Sequence, residues 1–169
     1  MIASLRTTTL IAIAALFAVH AAGAQELAVV GSFSGSLRGT QGARGTPMGR
    51  ASDASRFSGT VEASPTSTQK AGSFAVKIRI TSTGGMPATT ILQWTIAPGR
   101  CGARLQPLVQ PTEVSPLEVR SGGDAEAMWS GPINLAPDGS YQMVVFGMGG
   151  VREQDVIACG NLKYNKPKR

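Results

Sequence analysis

The clearest pattern in the chain is strict alternation of apolar and polar positions. Phe74, Val76, Ile78 and Ile80 fall on one face of a strand, and Ser73, Ala75, Lys77, Arg79 and Thr81 on the other. A period of two means a strand with one buried side. Upstream, Phe57, Gly59, Val61 and Ala63 alternate with Ser58, Thr60 and Glu62 until Pro65 stops the run. Downstream, Thr83-Gly84-Gly85 turns the chain. The segment 89–96 then points Leu92, Trp94 and Ile96 to a core, leaving Ile91, Gln93, Thr95 and Ala97 on the far side.

The stretch 102–116 carries Pro107, Pro111 and Pro116 and reads as an extended surface loop. Leu117-Glu118-Val119 is a short strand before the turn at Ser121-Gly122-Gly123-Asp124. Ala127, Trp129, Gly131, Ile133 and Leu135 alternate through another strand, and Pro137-Asp138-Gly139 makes a hairpin turn. The segment 141–146 is apolar on both faces, which predicts a central strand. The last strand runs over 156–164. About seven or eight strands, frequent turn signals and no helical periodicity predict an all-β fold. The expected form is an antiparallel Greek-key barrel or sandwich.

The N-terminus adds a compartment. Arg6 precedes an apolar run from Leu10 to Val19, and Ala22-Gly23-Ala24 supplies small residues for cleavage. Such a run is too short to span a bilayer and reads as a signal peptide over 1–24. The expected destination is the periplasm or the exterior, with no transmembrane segment in the mature chain. Residues 25–55 are rich in Gly, Ser and Arg and read as a flexible segment. Arg38, Arg44 and Arg50 recur in it every six residues, and Arg56 follows at the same interval just beyond it. The β-domain is then expected over 56–165, with a basic tail over 166–169.

Formal net charge is +6. Arg38, Arg44 and Arg50, with Lys163, Lys166, Lys168 and Arg169, are candidate anion contacts, with an anionic cell-envelope component as the candidate partner; the alternative is that the charge serves solubility alone and the partner is unassigned. Aromatic residues make up only 5% of the chain, too few for a base-stacking surface, so nucleic acid is not expected.

Candidate chemistry is sparse. The only histidine, His20, lies in the leader. General acid–base work most often uses histidine, and a Ser-His-Asp arrangement requires it. Glu113, Glu118, Asp124, Glu126 and Asp138 are scattered over loops and strand ends. Gly147-Met148-Gly149-Gly150 is not followed by the Lys-Ser/Thr of a phosphate loop. Cys101 and Cys159 are the only cysteines, and in an exported chain they are most simply a disulfide. Two free thiols or a thiol metal site are the alternatives. Met128, Met143 and Met148 offer thioethers that suit Cu(I), or simply fill gaps in a core.

Two segments carry a resemblance. Trp94-Thr95-Ile96-Ala97-Pro98-Gly99-Arg100-Cys101-Gly102 resembles the Trp-His-Ile-His-x-Gly-x-Cys-Gly segment of exported bacterial proteins similar to Cu,Zn superoxide dismutase. Ala158-Cys159-Gly160-Asn161-Leu162 resembles their closing Ala-Cys-Gly-Asp/Asn-Leu segment. Pro116 to Val119 and Leu135 to Tyr141 fit between them, and 57–65 is similar to the start of chordin-type β-domains. The resemblance implies a Greek-key barrel with a Cys101–Cys159 disulfide pinning a loop to it. It also shows what is missing. The two copper-binding histidines of the motif fall on Thr95 and Ala97, and the family's guiding arginine is absent around Asp155-Val156-Ile157. A dismutase needs a redox metal held by nitrogen ligands, and the expected mature chain has no histidine to supply them. The sequence therefore leads to a non-catalytic exported β-domain with no cofactor and a degenerate metal site at Thr95 and Ala97. A methionine-based Cu(I) protein and an enzyme of unknown chemistry are the alternatives.

Overall fold

The computed structural model describes residues 31–40, 56–66, 72–83, 90–147 and 155–167. The alternating segments form β2 (Phe57–Pro65), β3 (Ser73–Ser82), β4 (Ile91–Pro98), β5 (Leu117–Val119), β6 (Asp124–Pro132), β7 (Tyr141–Phe146) and β8 (Val156–Asn165), preceded by β1 (Ser32–Gly39). All pair antiparallel and close into one barrel in the order β1-β2-β3-β6-β5-β4-β7-β8. Closure removes every sheet edge. In the run β6-β5-β4-β7, three consecutive strands are followed by one that returns beside the first, which is a Greek key. No helix among the described residues is long and apolar enough to cross a membrane.

Alternation places one set of side chains inside. Phe74, Val76, Ile78 and Ile80 of β3 are all buried, as are Leu92, Trp94 and Ile96 of β4. Eight strands leave an interior just wide enough for side chains to fill. Here Trp94 meets Trp129 edge-on with ring centroids 6.2 Å apart.

Three expectations are corrected. The domain does not begin at residue 56, because part of the supposed flexible segment is β1, paired with β2 on one side and β8 on the other. Its Phe33 is fully buried and meets Phe74, Tyr141 and Tyr164 at 6.0, 5.7 and 5.3 Å. The periodicity was hidden by Gly35, which takes the inward position between Phe33 and Leu37. A Cβ there would stand 2.6 Å from the Asn161 carbonyl oxygen. Second, β6 ends at Pro132, so Ile133 and Leu135 are buried from beyond the strand, and the Ile133 N–H donates to the Gly72 carbonyl. Third, the proline-rich loop is more than surface: Val109 and Val114 are buried.

Candidate functional site

Two outer faces of the barrel concern function, and they differ in kind. The first is built by β4, β7 and β8. Their outward positions stand in register: Thr95 opposite Val144, which is opposite Cys159, and Ala97 opposite Gln142, which is opposite Asn161. An outward face is normally wet, yet Thr95 and Ala97 are 0% exposed and Val144, Phe146 and Cys159 are buried. The cause is the loop after β4, which folds back over the strand it has just left. The Leu108 N–H donates to the Ile96 carbonyl (2.8 Å). The Thr95 hydroxyl donates to the Val109 carbonyl (2.6 Å). Leu105 packs on Val144, Phe146 and Cys159 as a small second core. Gln142 Nε2 donates to the Pro98 carbonyl (3.4 Å).

The loop is fastened at both ends. Cys101 and Cys159 form the disulfide, with a Cα–Cα distance of 5.9 Å across 58 positions of sequence. The Cys101 N–H also donates to Asn161 Oδ1 (2.8 Å). At the far end, the indole N–H of Trp94 donates to the Ser115 carbonyl (2.8 Å) and that of Trp129 to the Glu113 carbonyl (3.0 Å). Both tryptophans therefore serve the core and the loop together.

Thr95 and Ala97 stand at the positions where the sequence resemblance implies copper ligands. The residues present do not fit a metal. The Thr95 hydroxyl is committed to a backbone carbonyl, and Ala97 offers only a methyl group under cover. Neither supplies the soft or imidazole donors that a redox ion takes.

The second face is built by β1, β2 and β8 and is open. A groove of about 730 Å³ runs over it, with Ser34, Ser36 and Thr60 on its floor and Arg38, Glu62 and Lys163 around it. The disulfide stands at one end, where Arg38 pairs in register with Cys159. Lys163 pairs with Ser34 toward the other end. Arg38 and Lys163 are exposed and make no ion pair among the described residues. They are the two anticipated anion contacts that the fold brings to one place. Lys166 is exposed just past β8. Arg44, Arg50, Lys168 and Arg169 lie outside the described residues.

The other candidates separate. Met128 is 65% exposed on the outside of β6, whereas Met143 is 0% exposed inside the barrel. The wall stands between them, so they cannot share an ion. Met148 lies outside the described residues. Glu118 and Glu126, expected to be scattered, stand opposite each other across β5 and β6. Glu126 is bound by Lys77 Nζ at 3.1 Å and Arg79 Nε at 3.3 Å. The Lys77 hydrogen bond first, then Arg79, hold its carboxyl below the ordinary glutamate range.

The groove itself was not foreseen. Its signal was present as hydroxyls at period two, Ser34 and Ser36 then Ser58 and Thr60, but which strands lie side by side is a property of the closed barrel. Comparison with protein-family models, with curated proteins and with solved structures returns no match.

Proposed function

We propose that this chain is an exported, non-catalytic β-domain that keeps a dismutase-like scaffold and acts by binding an anionic component of the cell envelope. The observation that carries the reading is the sealed face of β4. The positions that hold the metal ligands in the resembled family are filled by Thr95 and Ala97 and closed by the chain's own loop. The Greek-key strand order and the bridged cysteines are in keeping with that kinship. The β4 face is closed by the chain's own loop, whereas the face of β1, β2 and β8 is open to contact and flanked by cations.

The alternatives have less behind them. A Cu(I) carrier built on methionines loses its geometry, because Met128 and Met143 lie on opposite sides of the wall. An enzyme resting on Glu118 and Glu126 meets the wrong electrostatics. A general acid needs a raised carboxyl pKa, and two cations push that of Glu126 the other way.

Superoxide turnover by the purified protein after loading with copper and zinc, together with fractionation of the producing cells, tests the proposal. The expected result is no turnover above free metal and recovery of the protein in the periplasmic or secreted fraction. Metal-dependent turnover, or retention in the cytoplasm, would overturn it.

A further inference from the structure

We infer that the groove over β1, β2 and β8 is a binding site for a linear acidic polysaccharide, a hydroxyl-rich chain whose carboxylates are widely spaced. The inference rests on the binding role proposed above and names its site and ligand class.

Three features point to that chemistry. The first is the floor. Ser34 and Ser36 of β1 lie beside Thr60 of β2 and Asn161 of β8, all facing outward. Hydroxyls and amides both donate and accept, which matches sugar hydroxyls. Ligand sites for drug-like molecules are mostly apolar, whereas this floor mixes hydroxyls and an amide with apolar surface.

The second is the spacing of charge. Arg38 and the Ser34–Lys163 pair are four strand positions apart on β1, about 13 Å along the strand. Two exposed cations at that separation, with no ion pair among the described residues, suit anionic groups set apart on an extended chain. A guanidinium also offers a fork that fits a carboxylate.

The third is Glu62, which borders the groove and is opposite Ser34 in register. A polymer with a charge on every residue, such as nucleic acid, would press phosphates against this carboxylate, with two lining cations among the described residues to offset them. Among the described residues no aromatic ring lines the groove to stack a base. A glycan can instead place a hydroxyl against Glu62.

A Cβ on Gly160 would stand 2.5 Å from the Ser36 carbonyl oxygen, so glycine there lets the two backbones draw together beneath the groove.

Titration of the full protein with hyaluronan, which carries one carboxylate on every second sugar, with dextran and an oligothymidylate as controls, tests the inference. Hyaluronan should bind and dextran should not. Arg38→Gln and Lys163→Gln should each weaken hyaluronan binding roughly two- to fivefold. Ser36→Trp, which raises a bulky ring from an exposed position on the floor, should abolish it while circular dichroism stays unchanged. Arg120→Gln removes one charge from the distant β5–β6 turn and should leave affinity as it was. Equal losses in Arg38→Gln and Arg120→Gln, or survival of binding in Ser36→Trp, would overturn the groove as the site. Tighter capture of the oligothymidylate through the same residues, or no hyaluronan binding at all, would overturn the ligand class. The parent reading is judged separately, by superoxide turnover and cell fractionation.

Discussion

The outward faces of β4–β7 and of β1–β2–β8 belong to one barrel and obey one alternation, yet they have opposite fates. On β4 and β7 the outward residues Thr95, Ala97, Gln142, Val144 and Phe146 are buried, and a disulfide-fastened loop covers them. On β1, β2 and β8 they are hydroxyl, amide and charged, and the face stays open as a groove. Outward on a strand therefore does not mean solvated. What covers the face decides, and the cover here is held by one covalent bond and several hydrogen bonds from the loop's own backbone.

The largest break in this comparison is removal of β1. Deleting residues 32–39 takes away the strand between β2 and β8 and the Phe33 aromatic hub, opening the barrel. The product should show no cooperative unfolding in urea. For the same reason, a deletion of 26–55 meant to remove a flexible basic arm would remove part of the fold.

Next comes the fastening of the covered face. Cys101→Ser with Cys159→Ser should cost about 2–4 kcal/mol in urea unfolding, because the bridge closes a long loop. Trypsin should then cleave faster at Arg100 and Arg104, on the freed loop. The open face should tolerate comparable chemistry without such an effect.

Placing a histidine at position 97 sharpens the comparison further. Ala97→His forces a ring into a site that is 0% exposed and should destabilise by about 1–3 kcal/mol through overpacking. A shift of the thermal midpoint reads this directly. An unchanged midpoint would mean that the cover lifts easily.

A matched pair of hydroxyl deletions is subtler. Thr95→Val leaves the buried Val109 carbonyl without its donor and should cost about 1–3 kcal/mol. Ser36→Ala on the open face should change stability by less than about 0.5 kcal/mol, since water replaces the lost partner. Equal effects would erase the distinction between the two faces.

The smallest effect is electrostatic. The folded pKa of Glu126 is lowered, so its pairing with Lys77 and Arg79 stabilises the fold above the unfolded pKa and is lost as pH falls through the folded value. The pair sits at the surface, so salt should blunt the effect. Titration of its carboxyl by NMR should show the pKa returning upward in Lys77→Gln.

The alternation of β3 and the inward set Leu92, Trp94 and Ile96 on β4 were legible because nothing in them conflicts with a half-buried strand. β1 was not, because glycine at the inward position broke the pattern that Phe33 and Leu37 would have made. The outward set Thr95 and Ala97 was correctly placed on the far side of β4, but its burial was not readable. A proline-rich segment carries no periodicity to say whether it extends into solvent or returns over its own strand.

Taken alone, the residues determined an all-β architecture, the inward and outward assignment along most strands, and two cysteines suited to a bridge. These are local matters, fixed by side-chain polarity at a spacing of two. Only the tertiary structure decided that β1 closes the ring, that the methionines are divided by the wall, that one outward face is sealed, and that Ser34, Ser36, Thr60, Arg38 and Lys163 share a groove. Each of those depends on which distant strands become neighbours, and barrel closure sets that through contacts no short window of sequence contains.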